Sequence, residues 1–215
     1  MPHWTNNASK LPTPCYLIDE SELKRNIQII SRLKKQTNCQ VILALKGFAT
    51  FQTFPHLWPI LDGVTASSMY EARLGIEEWK GDIHIHSIGM SAIESQQFNE
   101  FATHISFNSL NQLALYKKET TNITPSIGLR INPKVSQAPN ETYNPCANYS
   151  RLGIPIEQVP HHIFDEIEGL HFHALCEQNT PPLFDILNTI EATFGHSLNK
   201  LKWINWGGGH LLRIT

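Results

Sequence analysis

The segment Val41-Ile42-Leu43-Ala44-Leu45-Lys46-Gly47 decides the fold, because it is a short apolar run that ends in a lysine and a glycine. Such runs are typical of strands that are buried on both faces of a parallel sheet. Similar strands are predicted at 63–66, 83–87, 104–107, 127–131, 169–174 and 203–206. Amphipathic segments such as 69–79 and 110–118 lie between most of them. This alternation favours parallel strands joined by helical crossovers.

The strand count predicts an α/β protein, a (β/α)8-type TIM barrel truncated after its seventh strand. A closed barrel of this type needs eight strands, so an open doubly wound sheet also suits the count. Residues 1–36, with a strand-like piece at 15–19 and a helix capped by Asp19 or Ser21, are expected to lead into the barrel. Residues 37–215 are expected to form it. The chain stops soon after the seventh strand, which we interpret as an incomplete barrel.

Composition restricts the function classes. The chain has 215 residues, 41% of them hydrophobic and 17% charged, which is ordinary for a soluble globular domain. The formal net charge of −2 gives no reason to expect a nucleic-acid or membrane partner. The four cysteines form no C-x-x-C pair, and no secretory signal is visible at the start. A reducing cytoplasm is therefore the expected compartment.

Lys46 is predicted to lie at the carboxyl end of the first barrel strand, where the active sites of such barrels form. The free amine of a desolvated lysine can attack an aldehyde and hold it covalently. The alternative is a lysine that ends a strand by extending into water. The triplet Gly207-Gly208-Gly209 follows the seventh strand, and its backbone N–H groups could converge on a phosphate. The alternative for the triplet is a mobile turn.

Two pairs of histidines alternate along strands. His171 and His173 point to one side of the sixth strand, and His173, nearer its carboxyl end, could stack on a planar aromatic cofactor. A hydrogen-bonded core histidine is the alternative. His84 and His86 form a second pair, and H-x-H is also a metal-ligand spacing, so a metal-dependent barrel hydrolase must be considered.

Few carboxylates are placed to complete a metal site with these histidines. Asp62 precedes its strand, and Glu177 is the only carboxylate near a carboxyl strand end, so no metal is expected. Ser67 and Ser68, with Glu71 after them, are interpreted mainly as a helix N-cap. Arg151, in Ser-Arg-Leu-Gly, could anchor a phenolate, a phosphate or a carboxylate.

With these motifs in order, the chain resembles the fold-type III, alanine-racemase-like family of pyridoxal-phosphate-dependent decarboxylases. Within that family it is most similar to the carboxynorspermidine (carboxyspermidine) decarboxylases. The segments that carry the resemblance are TPCYLID at 13–19, ALKGF at 44–48, TASSMYEA at 65–72, SRLGI at 150–154, GLHFHALCE at 169–177 and NWGGGH at 205–210. His173-Ala174-Leu175-Cys176 stands where the general family usually carries His-x-Gly-Ser. That departure argues against an ornithine or diaminopimelate decarboxylase.

The resemblance implies that Lys46 holds pyridoxal 5'-phosphate and that His173 stacks on the pyridine ring. It also implies that Gly207, Gly208 and Gly209 cradle the phosphate and that Arg151 lies near the cofactor. The implied reaction is removal of the carboxyl group from carboxynorspermidine or carboxyspermidine, giving norspermidine or spermidine in polyamine biosynthesis. A polyamine tail is cationic, so Glu177 is a candidate substrate-binding residue.

The resemblance also implies a homodimer when the protein is full length, with a C-terminal β-domain that this chain lacks. The carboxylate for the pyridine nitrogen and the cysteine that protonates the product belong to segments beyond this sequence. The 215 residues alone are therefore expected to have little or no decarboxylase activity. The alternatives are a non-catalytic single-barrel protein that binds pyridoxal phosphate and regulates its supply, and the metal-dependent hydrolase.

Overall fold

The computed structural model describes residues 9–138 and 140–210. The α-helices are α1 (Glu20–Thr37), α2 (Phe54–Leu57), α3 (Met69–Glu78), α4 (Ala92–Asn99), α5 (Leu110–Glu119) and α6 (Thr180–Phe194). The strands are β1 (Ile42–Ala44), β2 (Gly63–Ala66), β3 (Asp82–Ile85), β4 (His104–Phe107), β5 (Ser126–Asn132), β6 (Ile154–Pro155), β7 (Gly169–His171) and β8 (Trp203–Asn205). Short 3-10 helices span Phe51–Thr53, Glu141–Tyr143, Ile156–Gln158, His161–Asp165 and Gly195–Lys200. Within the described ranges no helix is both long and apolar enough to cross a membrane.

All strand pairs are parallel, and the sheet runs in the order β1-β2-β3-β4-β5-β7-β8, with the two-residue β6 paired beside β5. Consecutive strands are joined by helical segments, as the alternation in the sequence predicts. In the described part of the chain, β1 and β8 each pair with one strand only. The sheet is therefore open between its first and last strands.

Side-chain contacts across the sheet show that it is strongly curved. The rings of His104 on β4 and Trp203 on β8 lie 5.5 Å apart, although β5 and β7 separate their strands. In a flat sheet with strands about 4.8 Å apart, these residues would be roughly 14 Å apart. The Oγ atom of Ser106 on β4 also lies 3.1 Å from the Nδ1 atom of His171 on β7. The prediction of a parallel α/β barrel is confirmed, and its seven predicted strands correspond to β1–β5, β7 and β8.

The two faces of the sheet differ in polarity. Outward-facing residues such as Val64, Ile105 and Leu129 are fully buried in the apolar core between the sheet and the helices. Gly75 of α3 lets the helix backbone approach β2, because a Cβ there would lie 3.0 Å from a methyl group of Val64. The inward face is polar and carries His84, His86, His104, Ser106, Arg130, Asn132, His171 and Trp203. This polar interior is where a small-molecule site can form.

Helix α1 is held against the first strands by a partly buried acid. The Asp19 side chain caps α1 by accepting hydrogen bonds from the backbone N–H groups of Ser21 and Glu22, as predicted. Near the other end of α1, Lys34 Nζ lies 2.7 Å from both carboxylate oxygens of Asp62. Asp62 also accepts a 2.7 Å hydrogen bond from the backbone N–H of Val41. Asp62 therefore fixes the entry into β1.

The strand predicted at 15–19 is wrong. These residues form no strand, and the side chain of Tyr16 is fully exposed. Their sequence is apolar enough for a strand, but a strand also needs a neighbour that takes its backbone hydrogen bonds. The described residues provide no such neighbour.

Candidate active site

Lys46 lies at the carboxyl end of β1 on the inward side of the sheet. Leu45 is 2% exposed and packs in the core, whereas the charge of Lys46 acts on His86, His171 and His173 of the inward face. Backbone N–H groups of Gly47 and Phe48 both donate to Ala44 O, at 3.0 and 3.1 Å, and turn the chain directly after the strand. The charge of Lys46 adds to the burial that lowers the pKa of His173, which lies on the same side. Lys46 is exposed, so the described residues do not desolvate it as the sequence argument expected.

Arg130 on β5 is a site residue that the sequence reasoning missed. It is 6% exposed, and its Nη1 atom donates to Nε2 of His86 at 3.0 Å. Among the described residues it forms no ion pair with a carboxylate, and its buried Nε has no hydrogen-bond partner. Burial lowers the pKa of Arg130 to about 10. Its signal in the sequence was the alternation Ser126, Gly128, Arg130, Asn132 along a strand whose intervening residues are apolar.

His86 and His171 form the floor beside Arg130. Nδ1 of His86 lies 2.9 Å from Ser106 O, so it must carry the proton and donate. That leaves Nε2 unprotonated to accept from Arg130 in a neutral ring. Burial first and the charge of Arg130 second lower the pKa of His86 to about 4, although the hydrogen bond to Ser106 opposes the shift. His171 is fully enclosed, and its pKa is lowered well below the usual value, first by burial and then by His86.

His173 follows β7 and is held by the loop after β8. The backbone N–H of Gly208 donates to Nδ1 of His173 at 3.3 Å, so Nδ1 is an acceptor. Burial, followed by the charges of Lys46 and Arg130, lowers the pKa of His173 to about 4. The imidazole is therefore neutral at pH 7 and oriented by a backbone hydrogen bond. The predicted stacking on a cofactor ring stays a prediction.

The glycine triplet lets two loops approach closely. Gly207 and Gly209 have φ values of +69° and +85°, which only glycine adopts easily. A Cβ at Gly207 would lie 2.5 Å from Phe172 O, and one at Gly209 would lie 2.3 Å from Leu175 O. The N–H of Gly207 donates to the Asn205 side chain at 2.8 Å. The triplet is thus an ordered turn, and its predicted phosphate role stays a prediction.

Two other predicted residues lie at the rim. Arg151 is exposed, and its carbonyl accepts a 2.8 Å hydrogen bond from the Asn108 side chain. It lines a cavity of 290 Å³ beside the start of α5. Within the described residues, no hydrogen bond or ion pair joins its guanidinium to Lys46 or His173. Glu177 is exposed, with φ of +51°, in the loop after β7.

Ser68 and Glu71 act as a helix cap, as the sequence reasoning preferred. The Ser68 hydroxyl accepts from the backbone N–H of Glu71 at 3.3 Å. The Glu71 carboxylate accepts from the backbone N–H of Ser67 at 2.7 Å. These bonds fix the start of α3 and leave no separate chemical role for the two serines.

The H-x-H pair on β3 does not form a joint metal site. Both ring nitrogens of His86 are engaged, and a cationic Arg130 lies against it. His84 lies nearer the amino end of the strand and stacks on His104, with ring centroids 4.1 Å apart. His86 therefore belongs to the cluster with Arg130, and His84 belongs to the one with His104. The joint H-x-H metal site considered for a barrel hydrolase is not formed.

The carboxyl end of the barrel suits an anionic aromatic cofactor such as pyridoxal phosphate. Lys46 and Arg130 supply positive charge, and the neutral rings of His86 and His173 supply apolar faces beside them. The orphan donors, Nε of Arg130 and Nδ2 of Asn132, are buried and face no described acceptor. Buried donors of this kind are rare unless a ligand, an ion or water completes them. The residues present fit the cofactor.

No protein-family model matches the chain. Among solved structures, diaminopimelate decarboxylase from Helicobacter pylori, in complex with L-lysine, matches with a TM-score of 0.79 over 96% of this chain and 57% of the other. At 16% identity this likeness shows the fold alone. The chain therefore shares the barrel fold of these decarboxylases.

Three further matches have higher sequence identity to this chain. Carboxynorspermidine decarboxylase from Campylobacter jejuni, solved with norspermidine, has a TM-score of 0.81 and 34% identity over 93% of this chain and 51% of the other. Carboxyaminopropylagmatine decarboxylase of Synechocystis sp. is 39% identical over 95% of this chain and 53% of the relative. Carboxynorspermidine/carboxyspermidine decarboxylase of Campylobacter jejuni subsp. jejuni is 37% identical over 94% of this chain and 52% of the relative.

The chain is similar to carboxynorspermidine/carboxyspermidine decarboxylases along nearly its whole length, which confirms the resemblance seen in the sequence. It spans about half the length of the curated relatives it matches.

Proposed function

We propose that this chain forms the cofactor-binding barrel of a pyridoxal-phosphate-dependent decarboxylase that converts carboxynorspermidine or carboxyspermidine to norspermidine or spermidine. The observation that carries the proposal is the placement of Lys46 on the same side of the barrel as His173 and Arg130, at the carboxyl strand ends. Similarity to relatives that act on carboxylated polyamines supports the choice of substrate. Carboxyaminopropylagmatine is a second candidate substrate, because a relative named for it is 39% identical.

Each residue of the site has a role in this proposal. Lys46 holds the cofactor covalently, and His173 covers one face of its ring in the neutral form, kept in orientation by the N–H of Gly208. Gly207, Gly208 and Gly209 lie against the phosphate. When bound, the cofactor supplies the conjugated ring that accepts the electron pair left by the departing carboxyl group.

Two arginines and one glutamate select the charges of cofactor and substrate. Arg130 uses its buried, unpaired Nε–H toward an anionic group, because a guanidinium held without a carboxylate attracts one. Arg151 lies further out and is proposed to contact the cofactor. Glu177 is proposed to bind an ammonium group of the polyamine tail. His86 positions Arg130 by accepting from its Nη1.

The assembly and location are also proposals. We propose a homodimer for the longer protein and a cytoplasmic enzyme, on the basis of the family resemblance. The non-catalytic pyridoxal-phosphate-binding protein is the alternative to an enzyme, and a decarboxylation assay on the longer protein separates the two.

The covalent link is tested by borohydride reduction. The 215-residue chain is incubated with pyridoxal phosphate, reduced and mapped by peptide mass spectrometry. We expect a pyridoxyl adduct at Lys46, loss of the adduct in Lys46→Arg, and no change in Lys118→Arg, which alters an exposed lysine on α5. A yellow, cofactor-loaded protein with unmodified Lys46 would refute the proposal.

A further inference from the structure

A second cluster of chemically capable side chains lies at the opposite end of the barrel from Lys46. Asp82, His84 and His104 each offer one ligand atom, and these atoms all lie within 4.8 Å of one another. We propose that this cluster binds one divalent transition-metal ion of the zinc class and thereby ties the amino ends of β3 and β4 together. The proposal does not depend on the decarboxylase function.

The strand register creates the cluster. Asp82 and His84 are two residues apart on β3, so both side chains point to the inward face. His104 on β4 is the direct cross-strand partner of His84. Two imidazoles and one carboxylate therefore meet at one place, and this donor set suits Zn²⁺ and its neighbours better than Mg²⁺ or Ca²⁺.

A hydrogen-bonded threonine prepares His104 as a ligand. The Thr103 hydroxyl accepts from the backbone N–H of Ile83 and donates to Ile83 O, both at 3.1 Å. With that hydrogen donated to Ile83 O, the 3.0 Å contact between His104 Nδ1 and Thr103 Oγ1 favours the tautomer with the proton on Nδ1. Nε2 of His104 then carries the free lone pair. Support of one ring nitrogen by a neighbouring oxygen is the usual arrangement behind a metal-binding histidine.

One ring nitrogen of His84 lacks a hydrogen-bond partner among the described residues. Its Nε2 atom is buried and has no hydrogen-bond partner among the described residues. A buried polar atom of this kind is rare in folded proteins and calls for an explanation such as an ion or water. A metal ion between His84, His104 and Asp82 would satisfy it.

The surrounding charges favour a cation. The carboxylates of Asp82 and Glu168 lie near His104, and their negative charges oppose the burial that lowers its pKa. The nearby Lys202 is paired with Glu168. Trp203 lies edge-on to His104 at 5.5 Å and shields one side of the cluster.

The stacked rings show what must move when the ion binds. The His84 and His104 planes differ by 1°, and parallel rings 4.1 Å apart cannot both aim in-plane lone pairs at one ion. One ring must therefore rotate out of the stack when the ion binds. The ligand atoms then move closer together, to the spacing of a tetrahedral site. With three protein ligands, a water molecule would complete the coordination.

The test uses the 215-residue chain, stripped of metal with a chelator and titrated with Zn²⁺ by calorimetry and with Co²⁺ by visible absorption. We expect one ion per chain, a tetrahedral Co²⁺ spectrum and a rise in Tm with Zn²⁺. His84→Gln, His104→Gln and Asp82→Asn should each weaken binding by on the order of 10- to 100-fold. His196→Gln, which alters an exposed histidine, is the matched control and should bind as the wild type does.

Two results would overturn the proposal: no stoichiometric ion on the wild-type chain, or equal affinity in the wild type and the His84 and His104 variants. The wild-type titration alone is decisive if a variant fails to fold. Borohydride labelling at Lys46 should be the same in folded His104→Gln as in the wild type. A failed metal titration with intact labelling at Lys46 would therefore contradict only the metal site. Metal binding without labelling at Lys46 would contradict only the cofactor site.

Discussion

Arg130 combines burial with a neutral partner. A buried guanidinium is normally paired with a carboxylate, because an isolated charge is costly to remove from water. Here it donates to the imidazole of His86, whose other nitrogen is satisfied by Ser106 O. The arrangement keeps Arg130 in place without cancelling its charge. A site for an anionic cofactor needs this property.

Replacing Arg130 therefore separates binding from stability. We expect Arg130→Met to weaken pyridoxal-phosphate binding by on the order of 10- to 100-fold, the loss of one charge-assisted hydrogen bond. Stability should stay level or rise, because a buried unpaired charge is removed. Cofactor titration by absorbance and urea unfolding measure the two effects. Arg73→Met, on the exposed side of α3, is the control, and wild-type cofactor affinity in Arg130→Met would contradict the proposed role.

The buried histidines predict loss of stability in acid. The folded pKa of His86 is about 4, lowered from 6.5 by burial and then by Arg130. Because the unfolded chain binds the proton first, stability is full above pH 6.5 and falls as pH drops toward 4. His86 alone contributes on the order of 3 kcal/mol to this fall. Urea midpoints between pH 7 and pH 4 should drop steeply, and less so in His86→Gln. A flat profile would show that the ring is not held neutral.

Strand β8 fills the inside of the barrel with one large ring. The Trp203 indole N–H donates to Ser126 Oγ at 2.8 Å, and that hydroxyl donates to Glu168 at 2.6 Å. The ring lies directly over Gly169 and Gly128, so both neighbouring strands must lack a side chain there. Strand pairing and interior packing therefore depend on the same two glycines.

Gly169→Ala should consequently be destabilising. A Cβ at this position would lie 1.9 Å from Trp203 Cε2, and both groups are in rigid strands. We expect the free energy of unfolding to fall by about 1–3 kcal/mol, the usual range for overpacking a core. Gly89→Ala is the matched control, because a Cβ there meets nothing within 4 Å. Equal urea midpoints for the two variants would contradict this account of β8.

The strands were predictable because their apolar outward faces give continuous runs between breakers. β2 and β4 begin and end where the sequence predicts, and the other five predicted barrel strands differ from the observed ones by one to three residues at an end. β7 ends at His171, three residues early, because the chain turns there to meet the glycine loop. The two-residue β6 was missed, since a pair of residues carries no periodicity.

The site was predictable only where residues share a motif. Lys46, His173 and the glycine triplet follow strand ends, and the structure brings them to one end of the barrel. Arg130 and Asp82 were missed because their roles depend on register with neighbouring strands, which a single sequence does not reveal. Arg151 lies at the rim, and its predicted place near the cofactor stays a prediction.

The open sheet has a consequence for the isolated chain. β1 and β8 each leave one edge without a partner among the described residues, and Ile204 and Trp206 are 40% and 45% exposed. Unpaired parallel edges and exposed apolar rings favour association with further chain segments. The curated relatives are about twice as long as this chain. The barrel described here is therefore expected to need further chain segments or a second copy to cover these edges.

Binding and turnover should accordingly separate. We expect the 215-residue chain to take up pyridoxal phosphate at Lys46 but to decarboxylate carboxynorspermidine little or not at all. The physical reason is the charge around the mouth: Arg130 and Lys46 have no ion-paired carboxylate among the described residues, and a pyridine nitrogen bound beside them needs one to stay protonated. A ring without that proton accepts electrons less readily. A protein extended to the length of its relatives should turn over the substrate, whereas robust turnover by the 215 residues would show that the barrel already holds every group the reaction needs.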